Sequence, residues 1–202
     1  MVYSDFKLSE VIQEFGLIVN EKSGMFSHIQ EEDCSELLTT ILRENVDLAI
    51  AINTEKARSE MIISPILIEI RRKFNCQISL FSGVDFNVDP SQGLNGYCDF
   101  ILSLSQEQLF VRAPVITLVE TKNENLKSGL AQCIAEMVAA QLFNQQAGNA
   151  IATIYGVVTI GTIWKFLKLD GKVISIDLSE YYIKDVKKII GILSSAISPY
   201  QV

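Results

Sequence analysis

Two carboxylates and a lysine are the residues of this sequence best placed to do chemistry. Asp99 lies within the apolar segment 96–102, and Glu120 is followed two residues later by Lys122. Because residues two apart in an extended strand project from the same face, Glu120 and Lys122 are predicted to share a face. If the two segments are neighbouring strands, Asp99 converges on that face as well.

Such a group is suited to hydrolysing a phosphodiester. Two ionised carboxylates a few ångströms apart repel each other, and a hard divalent cation such as Mg²⁺ or Mn²⁺ relieves that repulsion. The lysine would then orient or deprotonate a water, or stabilise the charge that develops on a phosphate. The alternative is that these are ordinary charged residues at strand ends, reaching solvent.

Other chemistries find little support in the sequence. His28 is the only histidine, which excludes histidine-rich metal sites and HExxH proteases, and no GxSxG motif accompanies it for a serine hydrolase. The segment 156–162 has two glycines at P-loop spacing but no phosphate-binding lysine. The cysteines are scattered without a CxxC pair and favour reduced thiols over a zinc site or a disulfide framework. They are Cys34, Cys76, Cys98 and Cys133.

Composition indicates one well-cored domain that carries an uneven charge. The chain has 202 residues, 49% hydrophobic and 20% charged, with a net charge of -7 that argues against coating nucleic acid by bulk positive charge. Residues 1–60 hold 12 acidic and 5 basic residues, whereas residues 61–202 hold 12 of each. The apolar stretch 150–164 is too short for a membrane span and favours a buried strand. No secretory signal is recognised, so we expect a cytoplasmic protein that does not bind membranes.

Hydrophobic periodicity predicts helices followed by a mixture of strands and helices. The predicted helices are Leu8–Phe15 closed by Gly16, one capped by Ser35, Thr54–Phe74 kinked or split by Pro65, Gly129–Gln146, and one capped by Ser179 that runs to about Ala196. The predicted strands are Gln77–Phe81, Tyr97–Ser103, Pro114–Val119, Thr153–Ile160, Ile163–Leu169 and Lys172–Asp177.

This order of elements, with Asp99 on the second core strand and Glu120-Thr121-Lys122 on the third, resembles the PD-(D/E)XK nuclease superfamily. The resemblance spans roughly residues 54–169. It implies an α/β, restriction-endonuclease-like core (αβββαβ), whose mixed central sheet is flanked by helices and preceded by a helical extension. The expected single domain divides into the extension at 1–53, the core at 54–178 and a C-terminal helix at 179–202.

The resemblance also implies roles for individual residues. Asp99 and Glu120 would bind Mg²⁺ or Mn²⁺, together with Glu60 on the first core helix, and Lys122 would act as base or charge stabiliser. Gln132 matches a glutamine that many members carry on the helix after Glu-x-Lys. Glu136 stands where RecB-type members have a tyrosine. It is either an accessory polar group of the site or a solvated helix residue, and Glu60 is alternatively a surface partner of Lys56.

The expected function is therefore metal-dependent hydrolysis of DNA, which we favour over RNA as substrate. Binding would be weak or assisted by a partner, and the apolar content leaves room for a homodimer. Cations that would support binding are Lys122, Lys127, Lys165, Lys168, Lys172 and the run Arg71-Arg72-Lys73. The alternative is a nuclease-fold protein with weak or no catalysis that binds another protein.

Overall fold

A mixed eight-stranded sheet forms the centre of the protein, whose computed structural model describes residues 1–149 and 151–200. The strands are β1 (Ile18–Lys22), β2 (Ser79–Asp85), β3 (Tyr97–Ser103), β4 (Val115–Thr121), β5 (Thr153–Thr159), β6 (Ile163–Asp170), β7 (Val173–Asp177) and β8 (Tyr181–Tyr182). Their order is β1-β7-β6-β5-β4-β3-β2, and β8 pairs with β6. The pairs β1/β7 and β4/β5 are parallel and the others antiparallel. The predicted α/β class with a mixed sheet is confirmed.

Helices cover both faces of this sheet. They are α1 (Leu8–Glu14), α2 (Glu36–Ile52), α3 (Glu55–Arg58), α4 (Ser64–Lys73), α5 (Leu126–Gln146) and α6 (Val186–Ile197). Side chains of α1 and α5 pack into one hydrophobic core, and those of α2, α4 and α6 into a second core on the opposite face. The sheet is therefore shielded from solvent on both sides where the two cores lie.

The β4–α5–β5 unit places the candidate residues. All seven residues of β4 are buried, as expected of a central strand rich in β-branched residues. Helix α5 begins after the cap Asn125 and packs so closely that a Cβ on Gly129 would lie 2.7 Å from Val158 Cγ1. Only glycine permits this approach, which brings the first turns of α5 against the end of β4.

The segment predicted as a helix kinked or split by Pro65 is irregular ahead of Pro65 but keeps one continuous helical path. The helical segment after Thr54 consists of α3, a π-helical turn at Ser59–Ile63 and α4, in which Pro65 occupies the first turn. Proline has no N–H to give to the preceding turn, and its ring crowds the carbonyl four residues back. The π-helical turn accommodates both effects without ending the helical path.

Two predictions about the chain ends are corrected. Residues 1–53 were expected to hold only helices, but β1 joins the sheet beside β7; all its residues are exposed, so no hydrophobic alternation marks it. Ser179 does not cap a helix, because its Oγ accepts the Gly24 N–H and its own N–H is bound by Asp177. The last helix, α6, begins only at Val186, after β8 and a turn of 3-10 helix.

The remaining predicted boundaries lie close to the observed ones. Strand β3 begins and ends where predicted, and the stretch 150–164 contains β5 and the start of β6, with Ala150 outside the described residues. Among the helices that the structure describes, none is long and apolar enough to cross a membrane. The division at 53/54 and 178/179 stays a prediction, although the β1/β7 ladder joins the extension to the core.

Candidate functional site

Strands β3 and β4 bring Asp99, Glu120 and Lys122 together. Phe100 pairs with Val119 in this antiparallel ladder, so Asp99 and Glu120 are the next residues along the two strands. Asp99 Oδ2 accepts hydrogen bonds from the Thr121 N–H at 2.7 Å and the Thr121 hydroxyl at 2.6 Å. The three residues line one pocket of about 500 Å³.

Glu120 is the most buried member of the group and is bound by two partners. Its side chain is 1% exposed and forms an ion pair with the Lys122 ammonium. Its other carboxylate oxygen accepts a 2.8 Å hydrogen bond from Gln132 Nε2 on α5. The Gln132 carbonyl oxygen accepts a 3.4 Å hydrogen bond from Lys122 Nζ. Gln132, singled out from the sequence, thus lies at the site and touches both charged residues.

Burial controls the protonation of this pair. Burial raises the pKa of Glu120 to about 8, and the Asp99 charge adds to the rise while Lys122 opposes it. Burial lowers the pKa of Lys122, but the charge and hydrogen bond of Glu120 outweigh that effect, so the net pKa of Lys122 is raised. Lys122 is therefore a lasting positive charge at neutral pH, which suits stabilisation of an anion better than removal of a proton.

Glu136 extends the site into the core. It lies one turn after Gln132 on α5 and accepts a 3.1 Å hydrogen bond from Gln132 Nε2. Its side chain is completely buried, so the interpretation as a solvated helix residue is wrong. Periodicity could not show this, because α5 is buried around most of its circumference and carries no clear polar face.

Glu60 is not brought to this pocket. Its side chain is 60% exposed and forms a 3.1 Å ion pair with Lys56, which was the alternative interpretation. Glu55, in the first turn after the cap Thr54, lines the pocket instead. Five residues correspond to about 140° around a helix, so the two carboxylates cannot face the same way.

Glu55 and Asp85 are site residues that sequence reasoning missed. Burial raises the pKa of Glu55, the Asp99 charge adds to the rise, and Lys122 opposes it. Asp85 ends β2 opposite Tyr97 of β3 and lines the same pocket. The sequence offered one signal for each residue. Glu55 comes directly after the helix cap Thr54, and Asp85 ends the strand next to β3.

We expect the variants Glu55→Gln and Glu60→Gln to differ in their affinity for Mg²⁺ or Mn²⁺. Glu55→Gln removes a charge beside Asp99 and should weaken Mg²⁺ or Mn²⁺ binding by about tenfold, as changes next to metal ligands commonly do. Glu60→Gln makes the same chemical change at the exposed position and should leave metal binding unchanged. Metal titrations followed by thermal unfolding measure both variants, and equal effects would contradict the assignment of Glu55 to the site.

The N-terminal segment forms another wall of the pocket. Val2, Tyr3 and Ser4 line it, and the buried Tyr3 hydroxyl donates a 2.6 Å hydrogen bond to the Phe86 carbonyl. The Tyr3 N–H donates to the Asn95 carbonyl at 3.0 Å. The segment is thereby fixed across the connection between β2 and β3.

Several lysines expected to line the site have other roles. Lys165 Nζ donates to the main-chain carbonyl of Asp177 at 3.0 Å, and Lys172 Nζ donates to that of Phe15 at 3.0 Å. Lys168 forms a 3.0 Å ion pair with Asp170. None of these three lines the pocket of Asp99 and Glu120.

The donor set of the pocket fits Mg²⁺ or Mn²⁺ better than a metal held by protein ligands alone. No three His, Cys, Asp or Glu side chains are grouped as a ready metal site within residues 1–149 and 151–200. Mg²⁺ usually keeps several waters and is bound by one or two carboxylates together with substrate phosphates. Asp99 and Glu120 supply such a pair, and a cation would relieve the repulsion from Asp99 that adds to the effect of burial on the pKa of Glu120.

The arrangement is thus a carboxylate pair, a protonated lysine and a bridging glutamine in an acidic pocket. Comparisons with protein-family models and with curated proteins give no match to this chain.

Proposed function

We propose that the protein is a metal-dependent nuclease that hydrolyses phosphodiester bonds in DNA, with a core of the PD-(D/E)XK type. The order α3–α4, β2, β3, β4, α5, β5, with β4 and β5 parallel, is compatible with that core. The observation that carries the proposal is the meeting of Asp99, Glu120 and Lys122 with Gln132 in one pocket.

Each residue has a distinct role in this proposal. Asp99 and Glu120 would hold Mg²⁺ or Mn²⁺, which supplies charge neutralisation at the phosphate and a more acidic bound water. Thr121 fixes the Asp99 carboxylate through two hydrogen bonds, and Gln132 fixes that of Glu120. Lys122 contributes a positive charge next to the phosphate, because it retains its proton at neutral pH.

The charge of the pocket supports a metal-dependent reaction. Of the residues that line it, Glu55, Asp85, Asp99 and Glu120 are acidic and Lys122 is basic. A phosphodiester anion would be repelled by this excess of carboxylates, and a divalent cation reverses the repulsion. Weak DNA binding without metal follows from the same charges.

A cleavage assay with purified protein tests the proposal. End-labelled single-stranded, duplex and branched DNA are incubated with Mg²⁺, Mn²⁺ or EDTA, and we expect products only with a divalent metal. A labelled RNA of the same sequence tests the preference for DNA. If every substrate remains intact with both metals at high protein concentration, the proposed activity is wrong.

The exposed Tyr97, which lines the pocket, favours single-stranded DNA as the substrate, because its ring can stack on an unpaired base. Its ring is 67% exposed although it begins a buried strand that leads to Asp99. Tyr97→Ala should raise the KM for single-stranded DNA by about 5- to 150-fold, because a stacked base contributes about 1–3 kcal/mol. Steady-state kinetics on single-stranded DNA measure the change. Tyr182→Ala, at another exposed tyrosine away from the pocket, is the control, and equal KM values for the two variants would contradict this role.

An exposed apolar pair favours the second candidate function, a protein-interaction module on the same fold. Leu109 is 97% exposed and Phe110 58% exposed, next to each other in the connection between β3 and β4. Adjacent large apolar side chains in solvent are typical of protein-binding surfaces. Absence of cleavage in the assay above would favour this function.

A further inference from the structure

Glu136 is a carboxyl group in the hydrophobic core on the α5 side of the sheet. Its exposure is 0%, and its Oε2 is buried with no hydrogen-bond partner. Burial, followed by the Glu120 charge, raises the pKa of Glu136 well above its usual range, and the Gln132 hydrogen bond and Lys122 charge only partly oppose this. The other titratable groups around it are Asp99, Tyr3, Cys98 and Cys133. Burial therefore favours the neutral form of Glu136 in the folded protein.

The Glu136 carboxyl group is bound to a side chain that touches both Glu120 and Lys122, that of Gln132. Gln132 Nε2 donates to Glu120 Oε2 at 2.8 Å and to Glu136 Oε1 at 3.1 Å, while Gln132 Oε1 accepts from Lys122 Nζ at 3.4 Å. An amide group has two N–H donors, and here both have a carboxyl acceptor. The two residues are i and i+4 on α5 and so lie on one face of the helix.

These contacts select one orientation of the amide. Rotating it by half a turn would place its N–H groups against the Lys122 ammonium, which can only donate, and would take those N–H groups away from Glu120 Oε2 and Glu136 Oε1. Without Glu136, one of the two acceptors that hold the NH₂ group would be missing, on the side of the amide that faces the buried Glu136.

We propose that Glu136 is a positioning residue that fixes the orientation of the Gln132 amide and, through it, the places of Glu120 and Lys122. Its effect on catalysis rests on the proposed function, whereas its effect on Gln132 is a property of the folded chain. A buried hydrogen-bonded acid in this place acts as the supporting layer behind the residues that would meet metal and substrate.

A double-mutant cycle separates this role from mere packing. Glu136→Met fills the space without an acceptor and should lower kcat for DNA cleavage by about tenfold with little change in KM. Glu136→Gln restores the acceptor and should restore kcat. In a Gln132→Ala background, Glu136→Met should cause no further loss, because it acts through Gln132. A loss that is the same in both backgrounds, or that Glu136→Gln fails to rescue, would overturn the proposal.

A measurement without substrate tests the inference even if the protein cleaves no DNA. In ¹⁵N–¹H NMR spectra, the Gln132 side-chain amide is identified by its loss in Gln132→Ala. We expect two well-separated, slowly exchanging proton signals in wild type and Glu136→Gln, and an upfield shift of one of them in Glu136→Met. Unchanged Gln132 signals in Glu136→Met, or rapidly exchanging signals in wild type, would overturn the proposal independently of the nuclease assay.

Discussion

Lys122→Met should lower metal-dependent DNA cleavage by about 10²- to 10³-fold, the usual effect of removing one group that stabilises transition-state charge. The ammonium of Lys122 is its main contribution, because the pKa of Lys122 is raised and the group keeps its proton at neutral pH. Methionine retains an unbranched stem of similar length beside Gly129, where Lys122 Cγ lies 3.2 Å from the place a Cβ would occupy. The loss should therefore appear in the single-turnover rate at saturating metal and DNA.

Lys127→Met is the matched control for this prediction. Lys127 lies in the exposed first turn of α5, close along the chain to Lys122, and does not line the pocket. A decrease in DNA affinity that both variants share would report general charge, whereas a loss of rate specific to Lys122→Met reports the site. Equal cleavage rates for wild type and Lys122→Met would contradict any catalytic role of Lys122.

Asp99, Glu120 and Lys122 were predicted from the patterns of their own strands, whereas Gln132 was predicted from the family resemblance. In β3 and β4 the apolar and β-branched residues mark the strands, and the period of two puts Glu120 and Lys122 on one face. The prediction assumed that β3 and β4 are neighbouring strands. The antiparallel ladder in which Phe100 pairs with Val119 confirms this assumption. The hydrophobic pattern of each strand and the correct pairing of β3 with β4 were therefore sufficient to place Asp99 beside Glu120 and Lys122.

The features that the sequence left open or did not show depend on the packing of distant elements. Choosing between Glu55 and Glu60 requires the direction in which α3 faces the sheet, which the cap at Thr54 and the π-helical turn determine together. Recognising Glu136 as buried requires knowing that α5 lies between β4, β5 and the N-terminal segment. An exposed edge strand such as β1 gives no hydrophobic pattern, since only its ladder with β7 defines it.

The distribution of charge now has a structural interpretation. The sequence places a net charge of -7 in residues 1–60, and Glu55 is the member of that group that lines the pocket. The acidity near the site therefore comes partly from the segment that precedes the core strands. A cation in the pocket would interact with carboxylates from both parts of the chain.

Glu120→Gln should remove a pH dependence of stability that wild type shows without metal. The folded protein holds the Glu120 proton up to a pKa of about 8, whereas the unfolded chain releases it at about 4.5. Between these values the folded state binds more protons, so its free energy of unfolding falls as pH rises. The contribution of Glu120 is fully present below about pH 4.5 and lost above about pH 8, and it amounts to no more than about 5 kcal/mol. Glutamine does not titrate and has no such loss.

Urea unfolding in EDTA from pH 4.5 to 9 measures this contribution as the difference between wild type and Glu120→Gln. Glu136 contributes in both proteins, and its contribution changes between them through the Glu120 charge, which raises the pKa of Glu136 only in wild type. Glu60→Gln, at an exposed carboxylate, should follow the wild-type curve. Added Mg²⁺ or Mn²⁺ should restore stability to wild type near pH 8 and have little effect on Glu120→Gln, because a ligand stabilises only the state that binds it. Parallel curves for wild type and Glu120→Gln would show that the Glu120 carboxylate is ionised in the folded protein at all these pH values, and that Lys122 outweighs its burial and the repulsion from Asp99.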